Sequence, residues 1–157
     1  MCIRDSKYAM APHSGTWESA QSFRNAYQHA APLLARQINN TVKHLPHSGG
    51  FIAVSPAELL LSSLKKAEHN ESLIIRLFNI SKREISGKIQ FYHEIESARL
   101  VNLNEQPISE TDLLVEQGHS ISLKIEPAKI VNLELFLAKE KVDGTFNPPA
   151  YKIVDLK

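Results

Sequence analysis

Disulfide cross-linking is excluded at the outset, because the chain has one cysteine, Cys2, and a single thiol cannot close an internal bridge. That usage is compatible with a reducing compartment, and a cytoplasmic location is expected. An excess of one charge is also missing. Eighteen Lys and Arg residues stand against 17 Asp and Glu, with no block of either sign, so the chain has no surface built for nucleic acid or an anionic membrane. No apolar run approaches the roughly 20 residues of a membrane span, and the N-terminus has no apolar signal core. Seryl nucleophile elbows, P-loops, dinucleotide fingerprints, internal repeats and low-complexity tracts are absent too. Aromatic residues make up only 7% of the chain and fall mostly at core-phase positions, which weighs against an exposed sugar-stacking strip.

What remains is a chain of 157 residues, long enough for one domain with a real core, or one domain with an attached helix. Its clearest feature is the tract Leu59 to Asn79, where two apolar runs flank the polar turn Glu68-His69-Asn70-Glu71-Ser72. That pattern predicts a β-hairpin. Period-two alternation follows in Ile85, Gly87, Ile89 and Phe91, in Ile121, Leu123 and Ile125, and in Val131, Leu133, Leu135 and Leu137. Leu73 to Phe78 is apolar on both faces apart from Arg76 and is expected to be a central strand. Strands joined by short polar turns with no helix between them pack as an antiparallel β-sandwich.

Ahead of the β region, Trp17, Ala20, Phe23, Tyr27, Ala30 and Leu34 recur at helical spacing, with Ser14 or Thr16 available as cap and Glu18 near the positive helix end. The helix is expected to stop near Ala31, because Pro32 disfavours helical geometry at the residue before it. Asn39 to Gly50 reads as a polar loop. The expected fold is therefore mostly β, an antiparallel β-sandwich preceded by one amphipathic α-helix. Its expected divisions are 1–6 as a leader, 7–50 as turn, helix and loop, 51–138 as the sandwich, and 139–157 as a tail or edge strand. Met1 to Ser6 resembles a spurious leader of conceptual translations from assembled environmental DNA, so the native protein is expected to be entered mid-chain at Lys7.

Chemically the chain is quiet. His44 and His47 are three apart, but Pro46 lies between them and neither a CxxC pair nor an HExxH supplies further ligands, so no metal site is assigned. Glu94 and Glu96 are read as a solvated strand edge rather than a glycosidase acid-base pair. Lys65-Lys66 is read as a solvated hairpin end. His13 sits in the Pro12-His13-Ser14-Gly15 turn, where it can lock the helix start or face a ligand. Trp17 is in phase to pack the helix onto the sheet. His13 and Trp17 are the candidates for a substrate-side or domain-docking role, and no catalytic residue is assigned.

Several segments resemble glycoside hydrolase family 38, the α-mannosidases. Tyr8-Ala9-Met10 with Pro12-His13, Gly15 and Trp17 is similar to that family's Y-A-L-x-P-H-x-G-x-W segment, and Ala26-Tyr27 with Pro32-Leu33 to its continuation into an N-P-L turn. Leu61 to Glu68 and Leu73 to Asn79 are similar to its L-S-A-L-K-K-A-E and L-I-L-R-L-Y-N strands, and Pro127 with Ile130 to its closing strand entry. The resemblance spans Lys7 to Leu137, with departures at Ala11, Thr16, Lys129 and Val131. It implies a retaining α-mannosidase whose N-terminal domain holds a divalent metal, usually zinc, and an aspartate nucleophile, while C-terminal β-domains support and frame the site.

The family's His-x-Asp metal segment and its nucleophile have no counterpart in this sequence. The resemblance thus implies a terminal β-domain without cofactor, partnered by an upstream catalytic domain and meeting a mannoside only through the whole enzyme. Assembly into a homo-oligomer through β-domains fits the same picture. A docking domain on its own is expected to expose an apolar patch and either to be only marginally soluble or to self-associate. The alternatives are a stand-alone carbohydrate-binding module and a purely structural sandwich.

Overall fold

The computed structural model describes residues 6–31, 33–35, 49–109 and 112–138. They fall into two units divided between Thr41 and Val42, and each is taken by itself. Cys2, the His44 and His47 pair, most of the expected 39–50 loop and the tail 139–157 lie outside the described residues.

In the N-terminal unit the helix is shorter than expected. α1 spans Ser22–Ala30, and Trp17 to Gln21 forms turns ahead of it. Thr16 closes the turn ahead of α1 and does not cap the helix, whose N-cap Gln21 makes no side-chain cap bond: Thr16 Oγ1 accepts from the Ser19 N–H at 3.2 Å while Ser19 Oγ accepts from the Thr16 N–H at 3.0 Å. Gln21 then takes a left-handed conformation, φ 50°, which interrupts the helical run and delays α1 to Ser22. At the other end Ala31 has left helical geometry, as expected of the residue before a proline. Of the in-phase apolar positions only Phe23 is buried, whereas Tyr27, Ala30 and Leu34 are exposed.

Among the described residues the C-terminal unit holds eight strands: β1 (Ile52–Ser55), β2 (Leu59–Lys66), β3 (Leu73–Asn79), β4 (Ile85–Phe91), β5 (Ile95–Val101), β6 (Val115–Glu116), β7 (Ser120–Ile125) and β8 (Ile130–Leu137). They form two four-stranded antiparallel sheets, β1-β4-β7-β6 and β2-β3-β8-β5. The expected hairpin is β2 and β3, and β3 lies between β2 and β8 as the predicted central strand. The inner faces carry the alternating residues Ile75, Leu77, Ile85, Ile89, Phe91, Ile121, Ile125, Leu133 and Leu135, which pack into one core.

Gly87 occupies an inner position between Ile85 and Ile89, where a large side chain would normally stand. A Cβ there would meet Leu59 Cδ2 at 2.5 Å and Ile125 Cδ1 at 3.4 Å, so Leu59 of the second sheet fills the space that the glycine leaves in the first. Gly87→Ala is expected to lower stability by about 1–2 kcal/mol through overpacking, read as a lower urea midpoint at unchanged m.

Two of the connections that cross between the sheets at one end are tied by a single side chain. Asn79 is fully buried at the end of β3. Its amide nitrogen donates to the carbonyls of Arg83, Ile125 and Glu126 at 2.9, 3.1 and 2.8 Å, and its Oδ1 accepts from the N–H and Oγ of Ser81 at 2.9 and 2.7 Å. The β3–β4 and β7–β8 turns are thereby held against each other, reinforced by the Ala128 N–H donating to the Ser81 carbonyl.

Candidate functional site

The two outer faces differ in chemistry although both sheets have four strands. By strand register the first sheet presents Ala53, Ser55, Ser86, Lys88, Gln90, Ser120, Ser122 and Lys124 outward, with nothing apolar larger than alanine. That is a face made for water. Register on the second sheet sets Leu60, Phe78 and Ile130 in one outward row, Ser63, Arg76, Asn132 and Val101 in the next, and Lys65, Ile74, Glu134 and Arg99 beyond it.

Strand β8 reads in the sequence as a half-buried strand with one wet face, yet Asn132 and Glu134 on its outer side are 6% and 1% exposed. Glu134 is buried because three side chains from two other segments converge on it. Asn70 Nδ2 and Ser72 Oγ from the β2–β3 turn donate to Oε1 at 2.8 and 2.7 Å, and Arg99 Nε from β5 donates to Oε2 at 2.7 Å. The Arg99 guanidinium also lies over the Phe136 ring, 5.2 Å from its centre. Burial pushes the Glu134 carboxyl up, but the three hydrogen bonds and the Arg99 charge together outweigh it and hold the group below its ordinary 4.5.

A loop from β5 reaches the far edge of this sheet. Asn102 Oδ1 accepts from the N–H groups of Asn104 and Gln106 at 2.8 and 3.0 Å, which folds the loop into a compact turn. Its Glu105 then ion-pairs with Lys65 on β2 and accepts from the Glu68 N–H at 2.8 Å, although β8 and β3 lie between β5 and β2. Ala67, Ile74 and Val101 form a small second core on this side. The Lys65 hydrogen bond, followed by that from the Glu68 N–H, holds the Glu105 carboxyl below its ordinary value. Hydrogen bonding to Glu105 and then to Glu68 raises the Lys65 ammonium. Lys65 is therefore the anchor of a crossing loop and not simply a solvated hairpin end. Lys66 fits the solvated reading better, paired with Glu71 while both remain exposed.

His13 and Trp17 are placed in the N-terminal unit and do not meet each other's chemistry there. His13 is exposed, with Nδ1 3.4 Å from the Ser14 carbonyl oxygen. The turn depends on Gly15, whose φ of +77° suits glycine and whose missing Cβ leaves room for Ser19 Oγ. Trp17 stands edge-on to Phe23, ring centres 6.3 Å apart. Glu94 and Glu96 are both exposed. Among the described residues no three His, Cys, Asp or Glu side chains come together to hold a metal ion. Nor is any helix among the described residues long and apolar enough to cross a membrane.

Sequence reasoning missed Asn70, Ser72, Arg99, Asn132 and Glu134 as a group. The available signal was a carboxylate inside a Leu-rich strand, Leu133-Glu134-Leu135, together with a polar turn and an arginine in another strand.

Residues 58–133 match the glycosyl hydrolases family 38 C-terminal beta sandwich domain. The chain is also 27% identical over 133 residues to alpha-mannosidase 2C1 of Homo sapiens, an alignment covering 83% of this chain. It spans 12% of the length of that relative. The matched segment begins just ahead of β2 and ends inside β8, so it takes in the hairpin, Asn79 and β5. The two-sheet sandwich fits this match: residues 58–133 carry the sequence of a glycosyl hydrolases family 38 C-terminal beta sandwich domain.

Proposed function

We propose that this chain serves as the non-catalytic C-terminal β-domain of an α-mannosidase-type glycoside hydrolase, supporting and framing an active site carried elsewhere in the polypeptide. The observation that carries the reading is the domain match over 58–133, joined to a sandwich in which the described carboxylates are solvated, ion-paired or engaged in structural hydrogen bonds. In the same proposal the catalytic portion holds the divalent metal and the nucleophile, the substrate is an α-mannoside, and the setting is cytoplasmic.

The first test is the DNA sequence upstream of the codon for Lys7. A frame that runs on for several hundred codons and encodes a His-x-Asp segment and a candidate nucleophilic aspartate supports the proposal, whereas a stop codon just upstream overturns it. Calorimetric titration of the chain with methyl α-mannoside is expected to give no saturable heat. Saturable binding would favour the carbohydrate-binding alternative, for which Phe51, 60% exposed, is the sandwich's most open aromatic side chain.

A further inference from the structure

Arg76 is the one outward charge of β3, and its surroundings set it apart from the other basic groups of the second sheet. Arg99 is matched by Glu134, and Lys65 by Glu68 and Glu105. Arg76 is half-buried, and its one hydrogen bond among the described residues runs from Nε to the neutral amide Asn132 Oδ1 at 2.8 Å. A guanidinium has five donors in a fixed fork, so most of this group is uncommitted. A charge that has lost much of its hydration without gaining a counter-charge is costly to keep.

Beside Arg76 the outer face is apolar. Leu60, Phe78 and Ile130 form the adjoining row, and Ile130 is 53% exposed at its end. The Glu105 loop reaches Lys65 and Glu68 in the hairpin half of the sheet, while this row lies toward the opposite end. The outer face of the first sheet provides the internal comparison, since register gives it Ser, Lys and Gln where the second sheet carries Leu60, Phe78 and Ile130.

We infer that the Leu60, Arg76, Phe78 and Ile130 patch is the docking face for the catalytic portion of a family 38 polypeptide, which presents a carboxylate to Arg76 within an apolar collar. The inference rests on the function proposed above. The chain's span of 12% of its relative leaves a large remainder available to be that occupant. Charge decides the partner's chemistry, because a bidentate carboxylate satisfies the free arms of the guanidinium and desolvation inside an apolar ring strengthens the pair. A second copy fits less well: a twofold contact through the same face would bring Arg76 toward its own symmetry mate.

The test mixes the 157-residue chain with a family 38 α-mannosidase truncated before its own C-terminal sandwich and shown by a cooperative melt to be folded, with association followed by sedimentation velocity. A one-to-one complex is expected. Arg76→Glu should weaken it by about tenfold or more, while Lys124→Glu, the same charge change on the outer face of the first sheet, leaves it unchanged. Equal binding by the Arg76→Glu chain, or equal weakening by Lys124→Glu, overturns the face assignment and leaves the proposed function standing. No complex with the unmodified chain overturns the proposed function itself. A dimer of the unmodified chain that persists in place of the one-to-one complex when the truncated enzyme is in excess, and that Arg76→Glu abolishes, overturns the inference in favour of a second copy. Should Arg76→Glu not fold, hydroxyl-radical footprinting of the unmodified chain decides: protection of Phe78 and Ile130 in the complex supports the face, and unchanged labelling overturns it.

Discussion

Asn79→Ala is expected to lower the stability of the chain by about 3 kcal/mol, more than any other single polar substitution at the turn end of the sandwich. For a chain of this size that is a fall in Tm of roughly 6–12 °C. The reason lies in the hydrogen bonds that one buried amide makes. Its two hydrogens are shared among the carbonyls of Arg83, Ile125 and Glu126, and its oxygen accepts twice from Ser81. Alanine removes the donor from three carbonyls and the acceptor from Ser81, and the site is too deeply buried for water to replace every bond. Because those bonds join two of the crossings between the sheets, the loss is felt by both sheets together.

Asn79→Asp discriminates between loss of shape and loss of donors. Aspartate fits the same volume, but its ionised form has no hydrogen to give to three carbonyl oxygens. Those oxygens and the burial both disfavour the anion, so the folded pKa of the new carboxyl should be raised. Stability of this variant should therefore be lowest near neutral pH and recover relative to the parent as the carboxyl is protonated. Thermal melts of both chains at about pH 7 and about pH 4 check this, and a pH-independent difference would assign the effect to packing alone.

The architecture was readable where burial is decided locally. Ile85-Gly87-Ile89 and Ile121-Leu123-Ile125 alternate because one face of each strand meets the core, and the alternation survives in the fold. The hairpin turn Glu68 to Ser72 was readable for the same reason, since Asn70 and Ser72 serve the turn through a local bond of 2.7 Å. What the sequence hides is burial imposed from far along the chain. β5 is masked by Glu96, Ser97 and Arg99, and its arginine becomes intelligible only beside Glu134, 35 residues away. The Glu105 loop contacts the β2–β3 turn at Glu68 across 37 residues of sequence, a pairing to which no period applies. In the N-terminal unit the capping chemistry of Thr16 closes only the turn ahead of α1, and the left-handed Gln21 that delays the helix leaves no mark in the hydrophobic pattern.

Glu134→Ala is expected to cost about 3 kcal/mol, at the low end for breaking a buried ion pair because Arg99 keeps about a third of its side chain exposed and can regain water. Asn70 and Ser72 lose their acceptor in the same step, which loosens the β2–β3 turn. The pH dependence carries a definite sign. The folded carboxyl is held below its ordinary 4.5, so the stability it contributes is complete above that value and is lost as pH falls through the lower folded pKa. Glu134→Gln should remove this part of the acid limb while leaving the parts due to Glu105 and Glu116, whose carboxyls are shifted in the same direction. Urea midpoints from about pH 7 down to about pH 3 measure it, and an acid limb identical in the parent and the Gln variant would refute a linked Glu134. Glu134→Leu with Arg99→Met should then be less damaging than Glu134→Leu alone, since the double change leaves no unmatched charge on that face. Such a result would assign the pair to orienting the β2–β3 turn and β5 on the outer face rather than to net stability, the role expected of a buried charge within a Leu-rich strand.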